Sequence, residues 1–113
     1  MATITEDYCS NEIYRLLLKK GFEGEIHTTF DKEGYTQESI TLQMAIKWLR
    51  EVHNIIIVYT PSVICSDSLE WISSIRTYNA EENYLEDQGI VGNYDTYEEA
   101  CEAAIKYCLE NLI

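Results

Sequence analysis

The stretch "ITLQMAIKWLREVHNIIIVYT", residues 40–60, changes its apolar period at Asn54, and that change decides the fold class. Before Asn54 the apolar residues recur every three to four positions, which predicts a helix with one buried stripe. The predicted stripe is Leu42, Ala45, Ile46, Leu49 and Val52, widened by Met44 and Trp48. After Asn54 an unbroken β-branched run, 55–58, predicts a central strand buried on both faces. The chain therefore combines helix and sheet.

Two further strands are predicted downstream of Pro61, which ends the first strand or bends it. Residues 69–78, "LEWISSIRTY", alternate as a strand does, and 79–83, "NAEEN", has the composition of a turn. Residues 84–94, "YLEDQGIVGNY", are predicted to form a third strand interrupted by two glycines.

The last helix has the clearest sequence signature. Thr96 and Glu99 form a capping box at its start. Its predicted core stripe is Tyr97, Ala100, Cys101, Ala104, Ile105, Cys108, Leu109 and Leu112. The remaining face is charged and is expected to lie in solvent.

The amino-terminal part is predicted to add a helix and a pair of short strands. The helix begins near Thr5 or Ser10 and ends at Lys20, where Gly21 and Phe22 predict a left-handed cap. Residues 23–30 then read as a half-buried strand with Ile26, Thr28 and Phe30 on its inner side. A turn at 31–34 leads into a returning strand.

These elements predict one α+β domain over residues 1–113. Residues 1–39 form a helix-plus-strand extension, and 40–113 form a helix–strands–helix core. We expect an antiparallel sheet of three to five strands with helices packed on one face. The core has the helix–strand–strand–strand–helix order of double-stranded-RNA-binding domains. Those domains need positive charge at the start of the last helix, where this chain has glutamates, so no direct nucleic-acid binding is expected.

The net charge of −12 is unevenly distributed. Residues 1–78 carry eleven acids and seven bases, whereas 79–113 carry nine acids and one base, Lys106. A candidate acidic surface for a protein partner, plausibly a basic one, consists of Glu81, Glu82, Glu86, Asp87, Glu98, Glu99 and Glu102. The alternative is a solvated face, because acids in the first turn of a helix complement its dipole.

The sequence contains no motif that indicates catalysis, a cofactor or a metal. It has no phosphate-binding loop, nucleophile elbow, zinc-protease motif or calcium loop. His27 and His53 lack an oriented partner in sequence, and no His lies at zinc-like spacing from a Cys. Cys101 and Cys108 are about 10 Å apart along one helix, too far for a disulfide. We expect buried free thiols, no catalytic residues and no cofactor.

The same features predict a protein of the cytoplasm. The first twelve residues lack a positively charged region followed by an apolar stretch, and no apolar run approaches the ~20 residues that cross a bilayer. Anionic membrane surfaces are disfavoured by the net charge.

Three stretches resemble a group of short, uncharacterised accessory proteins of gut anaerobic bacteria, their phages and mobile elements. They are "YCSNEIYRLLLKKGFEGEI" (8–26), "ITLQMAIKWLREVHNI" (40–55) and "YEEACEAAIKYCLENLI" (97–113), about half of the chain. The resemblance implies a bacterial or phage-infected cytoplasm and a dispensable, element-borne role, and it implies no activity.

Two hypotheses for function follow from these observations. The first is a non-enzymatic binding protein that engages a protein through the acidic surface, one form being an inhibitor of a host nucleic-acid-binding or defence protein. The second is a structural or regulatory homodimer built on tyrosine and apolar surfaces, with Tyr107 as the candidate exposed aromatic. An enzyme would require a pocket that gathers His27 or His53 with carboxylates.

Overall fold

The computed structural model of the chain describes residues 7–30, 32–63 and 69–113. The elements in order are α1 (Asn11–Lys19), β1 (His27–Phe30), β2 (Thr36–Ser39), α2 (Leu42–His53), β3 (Ile55–Ser62), β4 (Glu70–Asn79), β5 (Tyr84–Tyr94) and α3 (Tyr97–Asn111). The α+β fold class and the helix–strand–strand–strand–helix order of the core are confirmed. Cys65 and the first residue of the turn predicted at 31–34 lie outside the described residues.

The main sheet is antiparallel with the strand order β3-β4-β5. The central strand is therefore β4, and β3 lies at an edge. The prediction that the β-branched run forms a central strand buried on both faces was wrong. Ile55 is buried, but Ile56, Ile57 and Val58 are only half-buried. A run of β-branched residues indicates a strand in apolar surroundings. It does not indicate whether that strand lies at the centre or at the edge of the sheet.

The helices cover one face of this sheet. α3 contacts all three strands of the sheet, and α2 contacts β3 and α3. The buried positions of β4 are Ser73 and Ile75, both fully inaccessible to solvent. These two residues alternate with Ile72 and Ser74, which point away from the helices. The core consequently lies between one sheet face and the two helices.

Side-chain caps define the ends of both core helices. Thr41 Oγ1 accepts a hydrogen bond from the Met44 N–H at 3.1 Å, and Asn54 ends α2 in the left-handed conformation. Thr96 Oγ1 accepts from the Glu99 N–H at 3.1 Å, as expected of the capping box. The predicted stripe of α3 is buried from Ala100 to Leu109. On α2, however, Trp48 is buried and Val52 is 60% exposed, so Val52 does not belong to the stripe.

The first helix ends as its sequence predicts. Gly21 has a positive φ of 90°, and the Phe22 N–H donates to the Leu17 carbonyl at 3.0 Å. This is a Schellman motif, in which the residue after the glycine folds back on the helix. The Phe22 ring is buried against Trp48 with the ring centroids 5.6 Å apart. The cap therefore attaches α1 to α2, and one core cluster contains residues from both the 1–39 and the 40–113 segments.

β1 and β2 form a separate two-stranded antiparallel sheet. Ile26, just before β1, is 41% exposed and Phe30 is 72% exposed, so the expected burial of one face of this strand was wrong. The hairpin is held to α1 by polar contacts instead: Tyr14 donates to Glu38 and Gln37 donates to Asn11. Sequence alternation alone cannot show whether a second layer exists to cover a strand. Among the described residues, no helix combines the length and apolarity that crossing a membrane requires.

Candidate functional site

The seven acidic residues singled out in the sequence fall into two groups at different ends of β5. Glu81 and Glu82 occupy the β4–β5 turn and Glu86 and Asp87 follow in β5; these four are the hairpin acids. Glu98, Glu99 and Glu102 lie in the first turns of α3 and are the helix acids. The eleven residues of β5 separate the turn from the start of α3, which corresponds to roughly 30 Å. The topology thus presents two acidic groups at opposite ends of the strand.

The helix acids are partly engaged within the fold. Glu102 Oε1 accepts a hydrogen bond from the Ser10 N–H at 2.6 Å, which attaches the start of α1 to α3. Lys106, one turn further on, forms an ion pair of 2.9 Å with Glu12 of α1. Glu98 and Glu99 are exposed in the first turn, where they complement the helix dipole. Glu102 thus has a structural contact, and Glu98 and Glu99 are solvated acids of a first helical turn.

The hairpin acids are exposed and shape a tight turn. The backbone N–H groups of Glu81 and Glu82 both donate to Asn79 Oδ1 at 3.1 Å, and both side chains are exposed. Asp87 Oδ1 accepts from the Gly89 N–H at 2.8 Å and lies opposite Arg76 in the register. The four hairpin acids therefore lie at the tip of the β4–β5 hairpin and along the edge strand β5.

An apolar surface that the sequence pattern did not reveal lies beside Asp87, the hairpin acid that shares a sheet face with Arg76. Val58, Ser74 and Ile90 are register partners across β3, β4 and β5, with Ile72 and Ile56 in neighbouring rows. Their side chains point away from α2 and α3. Ile90 is 70% exposed, and Ile56, Val58 and Ile72 are half-buried beside their strand neighbours. We call Ile56, Val58, Ile72 and Ile90 the open face.

Within the described part of the chain, no second layer covers the open face. Its four residues are absent from the cluster of side chains that packs around the core. The β1–β2 hairpin makes its contacts around α1 and does not form a layer over the main sheet. A sheet of this size normally buries one face and solvates the other with polar residues. Here four aliphatic side chains surround Ser74 on the solvent-facing side, and exposed apolar groups of this kind are typical of an interaction surface.

The buried thiols do not have the properties of nucleophiles. Cys9, Cys101 and Cys108 are free and buried, as expected. Burial raises the pKa of Cys9 and that of Cys108 to about 12, and burial also raises the pKa of Cys101. All three therefore stay protonated at neutral pH, whereas a reactive cysteine requires a thiolate. Their role is packing.

The two histidines lie in different places. His27 Nε2 is 3.3 Å from Glu25 Oε1, and the Tyr8 hydroxyl is 3.2 Å from His27 Nδ1. His53 lines a cleft of about 450 Å³ between α2 and the end of α1, together with Glu23 and Glu51. Its Nε2 is buried without a hydrogen-bond partner in the described structure, and its ring packs on Trp48 at 4.6 Å. His27 thus has a carboxylate and a hydroxyl partner, whereas His53 shares its cleft with two glutamates but its Nε2 makes no hydrogen bond among the described residues.

Tyr107 occupies an exposed position on α3, 37% accessible, on the helical side of the domain. It is thus remote from the open face. Among the described residues, no group of three or more His, Cys, Asp or Glu side chains could hold a metal ion.

No family model, curated protein or solved structure matches the chain. The surface itself has three features that bear on function: four aliphatic side chains, a nearby carboxylate at Asp87 and a position on one side of a two-layer fold.

Proposed function

We propose that this chain is a non-enzymatic protein-binding domain whose binding surface is the open face together with the hairpin acids. The observation that carries the proposal is the exposure of Ile90, on the edge strand β5, on a sheet face that α2 and α3 leave uncovered. An exposed apolar patch on an otherwise strongly charged protein is most often a site of contact with another macromolecule.

The chemistry of the surface indicates the chemistry of the partner. The open face would pack against apolar side chains, and the hairpin acids at its margin would meet Lys or Arg side chains around them. Arg76, opposite Asp87, is the base within this area. An inhibitor of a host nucleic-acid-binding or defence protein is one form of this function. The charge of −12 supports that form, because a basic groove that holds phosphates also attracts carboxylates.

The test is affinity capture from a bacterial lysate, followed by titration of the purified partner against matched variants. Ile90→Lys places a charge on the open face, while Phe30→Lys places the same charge at a residue of nearly equal exposure on the other sheet. We expect Ile90→Lys to weaken binding by at least tenfold and Phe30→Lys to leave it unchanged, since a buried unpaired charge is costly at an interface.

A partner that binds the Ile90→Lys variant as tightly as the unmodified chain would contradict the proposal. Affinity should also fall with added salt, because the hairpin acids contribute screened attraction. Circular dichroism spectra of both variants provide the control that the fold is preserved.

A further inference from the structure

The two edges of the main sheet differ in their protection against other strands. β5 carries Glu86 and Asp87 and has irregular register with β4 at two places, between Ser73 and Ser74 and between Ile75 and Arg76. Bulges and charges are the usual means by which proteins keep an edge strand from pairing. β3, "IIIVYTPS", pairs with β4 in an uninterrupted register over all eight residues and carries no charge. Only Pro61 interrupts its hydrogen-bonding capacity.

The hydrogen-bond pattern shows which backbone groups of β3 point outward. The Tyr78 N–H donates to the Asn54 carbonyl at 2.8 Å, which makes these two residues a hydrogen-bonded pair. In an antiparallel ladder such pairs alternate, so Ile56, Val58 and Thr60 bond to β4. The N–H and C=O groups of Ile55, Ile57 and Tyr59 therefore point to the free edge. Within residues 7–30, 32–63 and 69–113, these groups have no backbone partner.

We infer that the free edge of β3 pairs with β3 of a second copy of this chain, in an antiparallel arrangement centred on Ile57. Strand addition at an exposed edge is a common mode of recognition, and a two-fold axis makes a strand its own partner. The product is a six-stranded sheet with the two open faces side by side. This inference concerns the edge of the sheet and does not depend on the partner proposed above.

The register centred on Ile57 follows from the outward groups. Ile57 pairs with Ile57 of the second copy, and Ile55 pairs with Tyr59. Each of these residues has both a donor and an acceptor, so six hydrogen bonds form, and Pro61, which lacks an N–H, falls outside the paired region. On the open face, Ile56 then lies directly opposite Val58 of the second copy. Apolar cross-strand pairs of this kind stabilise a sheet.

Charge and area are consistent with this partner. Each copy carries −12, and the neutral β3 lets two copies meet at the edge away from Glu86 and Asp87. An edge about 20 Å long and roughly 20 Å deep across the sheet and helix layers covers about 400 Å² per copy. The total, roughly 800 Å², lies below the ~1,200 Å² of stable specific interfaces, so we expect a weak and reversible dimer, with Kd on the order of 10 μM or weaker.

Sedimentation velocity of the purified chain between about 1 and 500 μM tests the association around that Kd. We expect the mass to rise from 13.1 kDa toward twice that value. Amide hydrogen exchange, measured at the two concentration limits, should show protection of the Ile55, Ile57 and Tyr59 amides only when the dimer is populated. The Ile56, Val58 and Thr60 amides, which bond to β4, should be protected at both limits. Added salt should tighten the dimer, because it screens repulsion between like-charged copies.

The register is tested with two single variants, Ile56→Cys and Val58→Cys, each made in a Cys65→Ser background. Mixed together and oxidised, they should form a disulfide-linked dimer, while neither forms one alone. A chain that is monomeric throughout the concentration range overturns the inference, and so does a dimer whose three outward amides exchange freely. Cross-linking of Val58→Cys alone overturns the register centred on Ile57. The sedimentation, exchange and cross-linking experiments use the purified chain alone. Their outcome is therefore independent of whether Ile90→Lys abolishes capture of the proposed partner.

Discussion

Ile72 and Ile75 lie three residues apart on β4 but on opposite faces of the sheet. Ile75 is fully buried between the sheet and the helices, whereas Ile72 is half-buried on the open face. The difference follows from the two-residue period of a strand, and it places one apolar side chain in the core and another where no layer of the described residues covers it.

This relationship predicts unequal stability effects of two otherwise identical substitutions. Ile75→Ala should lower the free energy of unfolding by about 3 kcal/mol, because it removes buried methyl groups and leaves a cavity. Ile72→Ala should lower it by about 1 kcal/mol or less, because the side chain is already partly hydrated. Urea unfolding followed by circular dichroism measures both values. Equal losses would mean that both faces of the sheet are covered.

The contact of the Glu102 carboxylate with α1 predicts that removing this acidic side chain lowers the stability of the fold. Its hydrogen bond from the Ser10 N–H attaches α1 to α3. Glu102→Ala should therefore reduce the free energy of unfolding by about 1 kcal/mol, since hydrogen bonds to charged acceptors are stronger than neutral ones. Glu110→Ala, at an exposed position near the other end of the same helix, should change it by less than about 0.5 kcal/mol. Similar losses for the two variants would argue against the structural role.

The buried thiols predict that stability declines at high pH. Burial raises the pKa of Cys9 and that of Cys108 to about 12 from an ordinary value of 9.0. The folded state therefore keeps its protons while the unfolded chain loses them, so the stabilisation present below pH 9 is lost between pH 9 and about pH 12. Each thiol contributes a slope of about 1.4 kcal/mol per pH unit in that window.

Comparison of the unmodified chain with Cys108→Ala measures this slope. Urea midpoints across the alkaline range should fall less steeply for the variant, which retains one of the two thiols with a pKa of about 12. Below pH 9 the variant should be less stable by an amount independent of pH, because only a packing defect remains. Parallel curves above pH 9 would contradict the assignment. Native Cys9, Cys101 and Cys108 should also resist alkylation at neutral pH and react after unfolding.

The sequence predicts local structure well where one residue determines it. Gly21 with Phe22, and Thr96 with Glu99, mark helix ends because left-handed backbone and N-terminal caps require particular residues. The sequence predicts burial less well where burial depends on a distant element. Val52 and Phe30 follow the expected periods but lie where no described layer covers them.

The candidate surface shows the same limit. The alternation in β4 already separates Ile72 from Ile75, but it does not say which side the helices occupy. The local sequence pattern also does not encode the order of the strands in the sheet. The apolar run of β3 therefore predicted a central strand, whereas β3 lies at an edge. The hairpin acids and the helix acids are close in sequence, but the extended strand β5 separates the two groups in space. Chain proximity is a poor guide to spatial proximity when a long strand intervenes.

The separation of the two acidic groups predicts that only one of them contributes to partner binding. Glu82→Lys with Asp87→Lys reverses two charges among the hairpin acids, and Glu98→Lys with Glu99→Lys reverses two among the helix acids. Both pairs change the net charge by the same amount, so long-range steering is altered equally. Because Asp87 lies on the side of the open face, in the row of Ile56 and Arg76, the first pair should weaken partner affinity tenfold or more, mainly through faster dissociation. The second pair should leave the dissociation rate unchanged and lower only the association rate.

Surface plasmon resonance of captured partner separates these rates, and a faster dissociation caused by the Glu98 and Glu99 pair would place the binding surface at α3.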